Sequence, residues 1–117
     1  MPTDLALPPT VSDTFRSLGD PIRCAIVEHL SEAGEATVND LAALFPVSIQ
    51  AVSKHIKVLR TAGLVTQEQR GRERPVRLHA DRVAEATDWL TGRLRELEAR
   101  YARLDRLLDD IQSGEPS

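Results

Sequence analysis

The stretch Val47 to Val65, "VSIQAVSKHIKVLRTAGLV", constrains this chain more than any other, because it marks a helix at both ends and leaves almost no linker before it. Ser48 is placed to cap the N-terminus by accepting a backbone N–H bond, and Gly63 supplies the left-handed residue that ends the helix. At about 100° per residue, Ile49, Val52, Ile56 and Leu59 share one apolar stripe, while Gln50, Lys54, Lys57 and Thr61 fall opposite. Upstream, Thr37 and Asp40 have capping-box spacing, Val38, Leu41, Ala42 and Phe45 carry the helical period, and Pro46 stops it. Only Pro46 and Val47 then separate the two helices. Short helices joined so tightly must cross at a steep angle, as in a helix-turn-helix.

Charge adds a second constraint. The chain has net charge −3, yet residues 41–80 hold 7 Lys/Arg against 2 Asp/Glu, whereas residues 1–40 hold 2 against 7 and residues 81–117 hold 6 against 9. A central block of +5 between blocks of −5 and −3 is the electrostatic footprint expected for a polyanion partner. The bland alternative for the helix is a solvated polar face, and for the block a set of charges that keep the surface soluble.

The remaining elements follow from local signals. A first short helix is predicted over Val11 to Leu18. Asp20 and Pro21 read as N-cap and first position of a second, carried by Ile22, Ile26 and Leu30 until Gly34. After Gly63, "LVTQEQRGRERPVRLH" changes period: Val76 and Leu78 alternate with Arg77 and His79 around a polar centre at Gly71, which predicts a β-hairpin whose second strand can begin at Pro75. Arg70, Arg72 and Arg74 lie at or beside its tip. From Asp81 to about Ile111 one long helix is predicted, and from Leu90 the residues Leu94, Leu97, Tyr101, Leu104, Leu108 and Ile111 form a heptad seam. Roughly 30 helical residues reach about 45 Å, more than so small a domain covers with its own core, so a partner subunit is favoured. Pro2, Pro8 and Pro9 in residues 1–10 and the polar "SGEPS" of residues 113–117 predict flexible tails.

Composition excludes several classes. A single cysteine, Cys24, precludes an intrachain disulfide and suggests a reducing compartment. Two Phe, one Trp and one Tyr offer little stacking surface for single-stranded nucleic acid. No apolar run approaches the ~18 residues of a membrane span and the N-terminus lacks a signal-peptide pattern, so a cytoplasmic location without membrane contact is expected. No nucleophile–base pairing or phosphate-cradling glycine loop is present, which argues against an enzyme.

"LGDPIRCAIVEHL", "VSIQAVSKHIKVLRTAGLV", "RGRERPVRL" and the terminal helix with "DWL" together resemble the ArsR family of bacterial winged helix-turn-helix repressors over about residues 13–108. The most specific matches are Asp20-Pro21-x-Arg23 and Ser53-x-His55-x-x-x-Leu59 followed by Ala62-Gly63-Leu64-Val65. The resemblance implies a mainly α fold with a small β-hairpin wing, five helices in the order ααααββα. It makes residues 11–112 one winged helix-turn-helix domain with a C-terminal dimerisation helix. It further implies a homodimer on an inverted-repeat operator in double-stranded DNA, with Phe15 and the seam residues Leu90, Leu94, Leu97, Tyr101, Leu104 and Leu108 at the dimer interface.

The DNA-binding candidates are Ser48, Gln50, Ala51, Ser53, Lys54, His55 and Lys57 on the recognition helix (48–62), and Arg70, Arg72 and Arg74 on the wing (70–77). Gln50 suits a bidentate contact to adenine and Lys57 a phosphate contact. His55 has two readings, a DNA-facing side chain or a partly buried neutral imidazole bonded to backbone. The family's metal sites are missing: the thiolate motif would fall near Thr37 and Asn39, and no histidine follows His79. No metal or cofactor is therefore expected. The reading is a sequence-specific transcriptional regulator of repressor type, with the inducer open. The alternatives are a winged-helix protein-interaction module and a redox- or metal-responsive member using Cys24, whose simplest role is that of a small core or interface residue.

Overall fold

The computed structural model describes residues 7–114. The element order is α1 (Pro9–Ser17), α2 (Pro21–Ala33), α3 (Val38–Ala42), α4 (Ile49–Thr61), β1 (Val65–Gln67), β2 (Val76–Leu78) and α5 (Ala80–Gln112). This is the expected five-helix, two-strand order. α1 begins two residues earlier than predicted, because Pro9 sits at the first helical position, where its fixed φ suits the helix and its missing N–H is no loss. Of the predicted tails, residues 1–6 and 115–117 lie outside the described residues.

The predicted caps form. Asp20 accepts from the Ile22 and Arg23 N–H groups at 2.8 and 3.2 Å, Thr37 and Asp40 complete their reciprocal capping box, and Ser48 Oγ accepts from the Ala51 N–H at 3.1 Å. Gly34 and Gly63 end α2 and α4 with φ of +85° and +81°. α3 is shorter than its apolar pattern: it closes at Ala42, so the linker to the Ser48 cap runs from Ala43 through Val47. Phe45 still packs against the core from that turn. An apolar residue serves the core from a turn as well as from a helix, and periodicity alone cannot tell the two apart.

The chain divides into two compact units, one ending at Ala86 and the other beginning at Thr87. In the first, Ile26, Leu30, Leu41, Val52, Ile56, Leu59, Leu64, Val65 and Val76 form a closed core. β1 and β2 pair antiparallel in the register Val65↔Leu78 and Gln67↔Val76. The wing gains a third edge from Ala36, whose N–H and C=O exchange hydrogen bonds with Val76 at 3.1 and 2.8 Å. His79 closes the hairpin base: its Nδ1 stands 3.1 Å from the Gly63 carbonyl, which can only accept, so Nδ1 carries the proton.

The second unit is the remainder of α5. Its seam residues Leu90, Leu94, Leu97, Tyr101, Leu104, Leu108 and Ile111 are 43–75% exposed, and Leu107 adds to them. Among the described residues, no helix is long and apolar enough to cross a membrane.

Candidate nucleic-acid interface

The site is built on α4 because one side of that helix is committed to the core. Val52, Ile56 and Leu59 are buried, which leaves Gln50, Ser53, Lys54 and Lys57 exposed on the other side, with Ser48 exposed at the N-cap. Helix N-termini carry unpaired N–H groups and a positive partial charge, so this end of α4 suits a negatively charged duplex.

Between α4 and the wing lies an open groove of about 510 Å³, lined among others by Asn39, Ser53, Lys57, Arg60, Arg72 and Arg74. Arg72 and Arg74 form no ion pair among the described residues, and Lys57 forms none either. Arg60 ties the groove together by donating from Nη1 to Gln67 Oε1 of β1 at 2.8 Å. The sequence alone does not point to Arg60 and Asn39, because their place in the groove depends on how α3, α4 and the hairpin pack. Arg60 could have been suspected from its helical spacing to Lys57.

Three predicted DNA-binding residues are placed elsewhere. Arg70 donates to Glu35 at 2.9 Å and Glu68 at 3.3 Å, which pins the wing to the α2–α3 loop rather than offering a free cation. The Glu35 charge, then the hydrogen bonds Arg70 donates to both carboxylates, raises its pKa above the usual guanidinium value despite some desolvation. Arg77 approaches the same Glu35 carboxylate at 3.9 Å. Ala51 and His55 turn toward the flank of α4, both only partly exposed.

The His55 side chain is 21% exposed, and its Nδ1 lies 3.2 Å from Arg23 Nη1 and 3.9 Å from Asp20 Oδ1. Since guanidinium only donates, Nδ1 accepts and the imidazole proton sits on Nε2. The partly buried reading of His55 therefore holds with a different partner, a side chain on α2 instead of backbone. Arg23 also donates from Nε to the Ser17 carbonyl at 2.6 Å, so the Asp20, Arg23 and His55 group joins the end of α1, the start of α2 and the middle of α4. Partial burial would raise the Asp20 pKa, but the Arg23 and Ile22 N–H bonds, with the positive charge of the nearby Arg23 guanidinium, outweigh it and hold the carboxyl below its ordinary 3.8.

Cys24 is exposed, with Sγ donating to the Leu18 carbonyl, so the core placement considered for it does not apply. No group of three or more His, Cys, Asp or Glu able to hold an ion occurs among the described residues. Phe15, proposed for the interface, is 36% exposed on α1.

A helix-turn-helix domain model matches residues 18–68, the span from the end of α1 to the first wing strand. A solved ArsR-like transcriptional regulator from Rhodococcus sp. RHA1 is similar at 30% identity with a TM-score of 0.61, covering 92% of this chain and 94% of that one. The chain belongs to the ArsR family. It is 41% identical over 66 residues to the uncharacterized HTH-type transcriptional regulator YuzN of Bacillus subtilis, covering 51% of this chain and 72% of YuzN. It is 39% identical over 77 residues to the HTH-type transcriptional repressor SmtB of Mycobacterium tuberculosis, covering 62% of this chain and 56% of SmtB. As an ArsR-family protein it is a DNA-binding transcriptional regulator with a winged helix-turn-helix.

Proposed function

We propose that this regulator is a homodimeric repressor that binds an inverted-repeat operator, with α4 in the major groove and the wing along the adjoining phosphates. The observation that carries the proposal is the groove in which Lys57, Arg60, Arg72 and Arg74 converge beside the exposed Gln50 and Lys54. In this reading the cations set register on the backbone, and Gln50, with Ser53, carries base information. The exposed seam of α5 and Phe15 of α1 supply the dimer contact. A two-fold pair of recognition helices reads two half-sites about one DNA turn or a multiple apart. Such a regulator works in the cytoplasm on the chromosome.

Duplexes selected from a random pool by the purified protein test this reading by fluorescence anisotropy at several salt concentrations. Lys57→Ala weakens binding to all sequences and flattens the salt dependence by about one ion, whereas Gln50→Ala costs about 1–3 kcal/mol chiefly on the selected site. Equal affinity of the wild type for selected and random duplexes would sink the proposal.

A further inference from the structure

Ile49 shares the apolar stripe of α4 with Val52, Ile56 and Leu59, yet it is 51% exposed while those three are buried. The projection explains this. Taking Ile49 as zero, successive steps of about 100° put Ser53, Lys57, Gln50 and Lys54 at roughly 40°, 80°, 100° and 140°, while Val52, Ile56 and Leu59 fall between roughly 280° and 340°. Ile49 is the edge of the stripe that continues into the polar face. It is the first helical residue after the Ser48 cap, so it stands at the end of α4 that reaches base edges when a recognition helix enters the major groove.

We infer that Ile49 is a specificity-determining residue that reads a thymine by packing on its C5-methyl group. The inference rests on α4 being the recognition helix. Its exposed neighbours at this end of the face, Ser48, Gln50, Ser53, Lys54 and Lys57, are polar and can hydrogen-bond to bases or phosphates, whereas the other large exposed apolar residue of α4, Val58, lies nine positions further on, toward the C-terminal end of the helix. Ile49 has no donor or acceptor beyond its backbone. The thymine methyl is the apolar group that the unmodified major groove presents, and cytosine, adenine and guanine offer donors and acceptors in its place. Docked against a thymine, the isoleucine side chain loses exposed apolar surface. Docked against the amino group of cytosine, it removes water from a donor and returns nothing. The β-branched side chain also has few rotamers in a helix, so little freedom is lost on contact. Ile49 thereby complements Gln50: one residue selects by an apolar contact, its neighbour by hydrogen bonds.

The test uses the full chain and the duplex selected by the wild type, resynthesised with 2′-deoxyuridine at one thymine at a time. That exchange removes the methyl group alone and keeps every hydrogen-bonding group. For the wild type, replacing one thymine in a half-site weakens binding about fourfold, the worth of one methyl group taken out of water. With Ile49→Ala the same replacement changes affinity by less than a factor of about two, while Gln50→Ala retains the wild-type sensitivity. Circular dichroism verifies that both variants fold, and Ile49→Val, which keeps the branched carbon, retains an intermediate preference. If the selected duplex outcompetes random DNA but no uridine position separates wild type from Ile49→Ala, the inference is overturned and the recognition reading stands. If no duplex outcompetes random DNA, both fall.

Discussion

α4 and the outer part of α5 carry the same kind of signal, apolar residues every three or four positions, and the structure uses them in opposite ways. On α4 the stripe is spent inside its own unit, with Val52, Ile56 and Leu59 at most 2% exposed. On α5 seven residues of stricter spacing, from Leu90 to Ile111, stay open. The difference is one of supply. The first unit has α2, α3 and the wing to cover one face of α4, whereas the second unit is a single helix, and a helix cannot bury its own stripe. A heptad seam left open at this length is a surface that a second copy can close.

Core truncation on α4 is the strongest way to test that contrast. Leu59→Ala leaves a cavity among buried side chains and lowers unfolding free energy by about 2–5 kcal/mol in urea titration. A loss below about 1 kcal/mol would mean that α4 is not held by its stripe.

The matching change on α5, Leu97→Asp with Leu104→Asp, places charges on the open seam. The expected outcome is a shift from dimer to monomer in light scattering, with DNA affinity reduced and the near-native circular dichroism of the first unit retained. A double variant that stays dimeric moves the interface away from the seam.

The smallest effect concerns the acid sensitivity of the first unit. Asp20 caps α2 as a carboxylate, and its folded pKa lies below 3.8. A depressed carboxylate pKa stabilises the fold at pH values above 3.8, and this contribution is lost as the pH falls through the lowered value. Asp20→Ala is therefore less stable than the wild type at neutral pH, and the gap closes in strong acid. A gap that stays constant down to pH 2 would show that the cap's contribution does not depend on its charge.

Much of this was legible in the sequence because it is local. The caps at Asp20, Thr37 and Ser48 and the stops at Gly34 and Gly63 need only neighbours within four residues, so reading along the chain located α2 and α4 to within a residue. The basic block of residues 41–80 is likewise read off directly, and it covers α4 and the wing. Tertiary structure decided what residues far apart do to one another. Glu35 lies 35 positions before Arg70 and takes that arginine from the free wing cations. Arg23 lies 32 positions from His55 and turns its imidazole toward α2. Ile49 left the core because the covering elements reach only as far round α4 as Val52 and Ile56. Periodicity reports which side of a helix is apolar, but the width of the neighbour that covers it, and the charge waiting across a loop, exist only once the chain has folded.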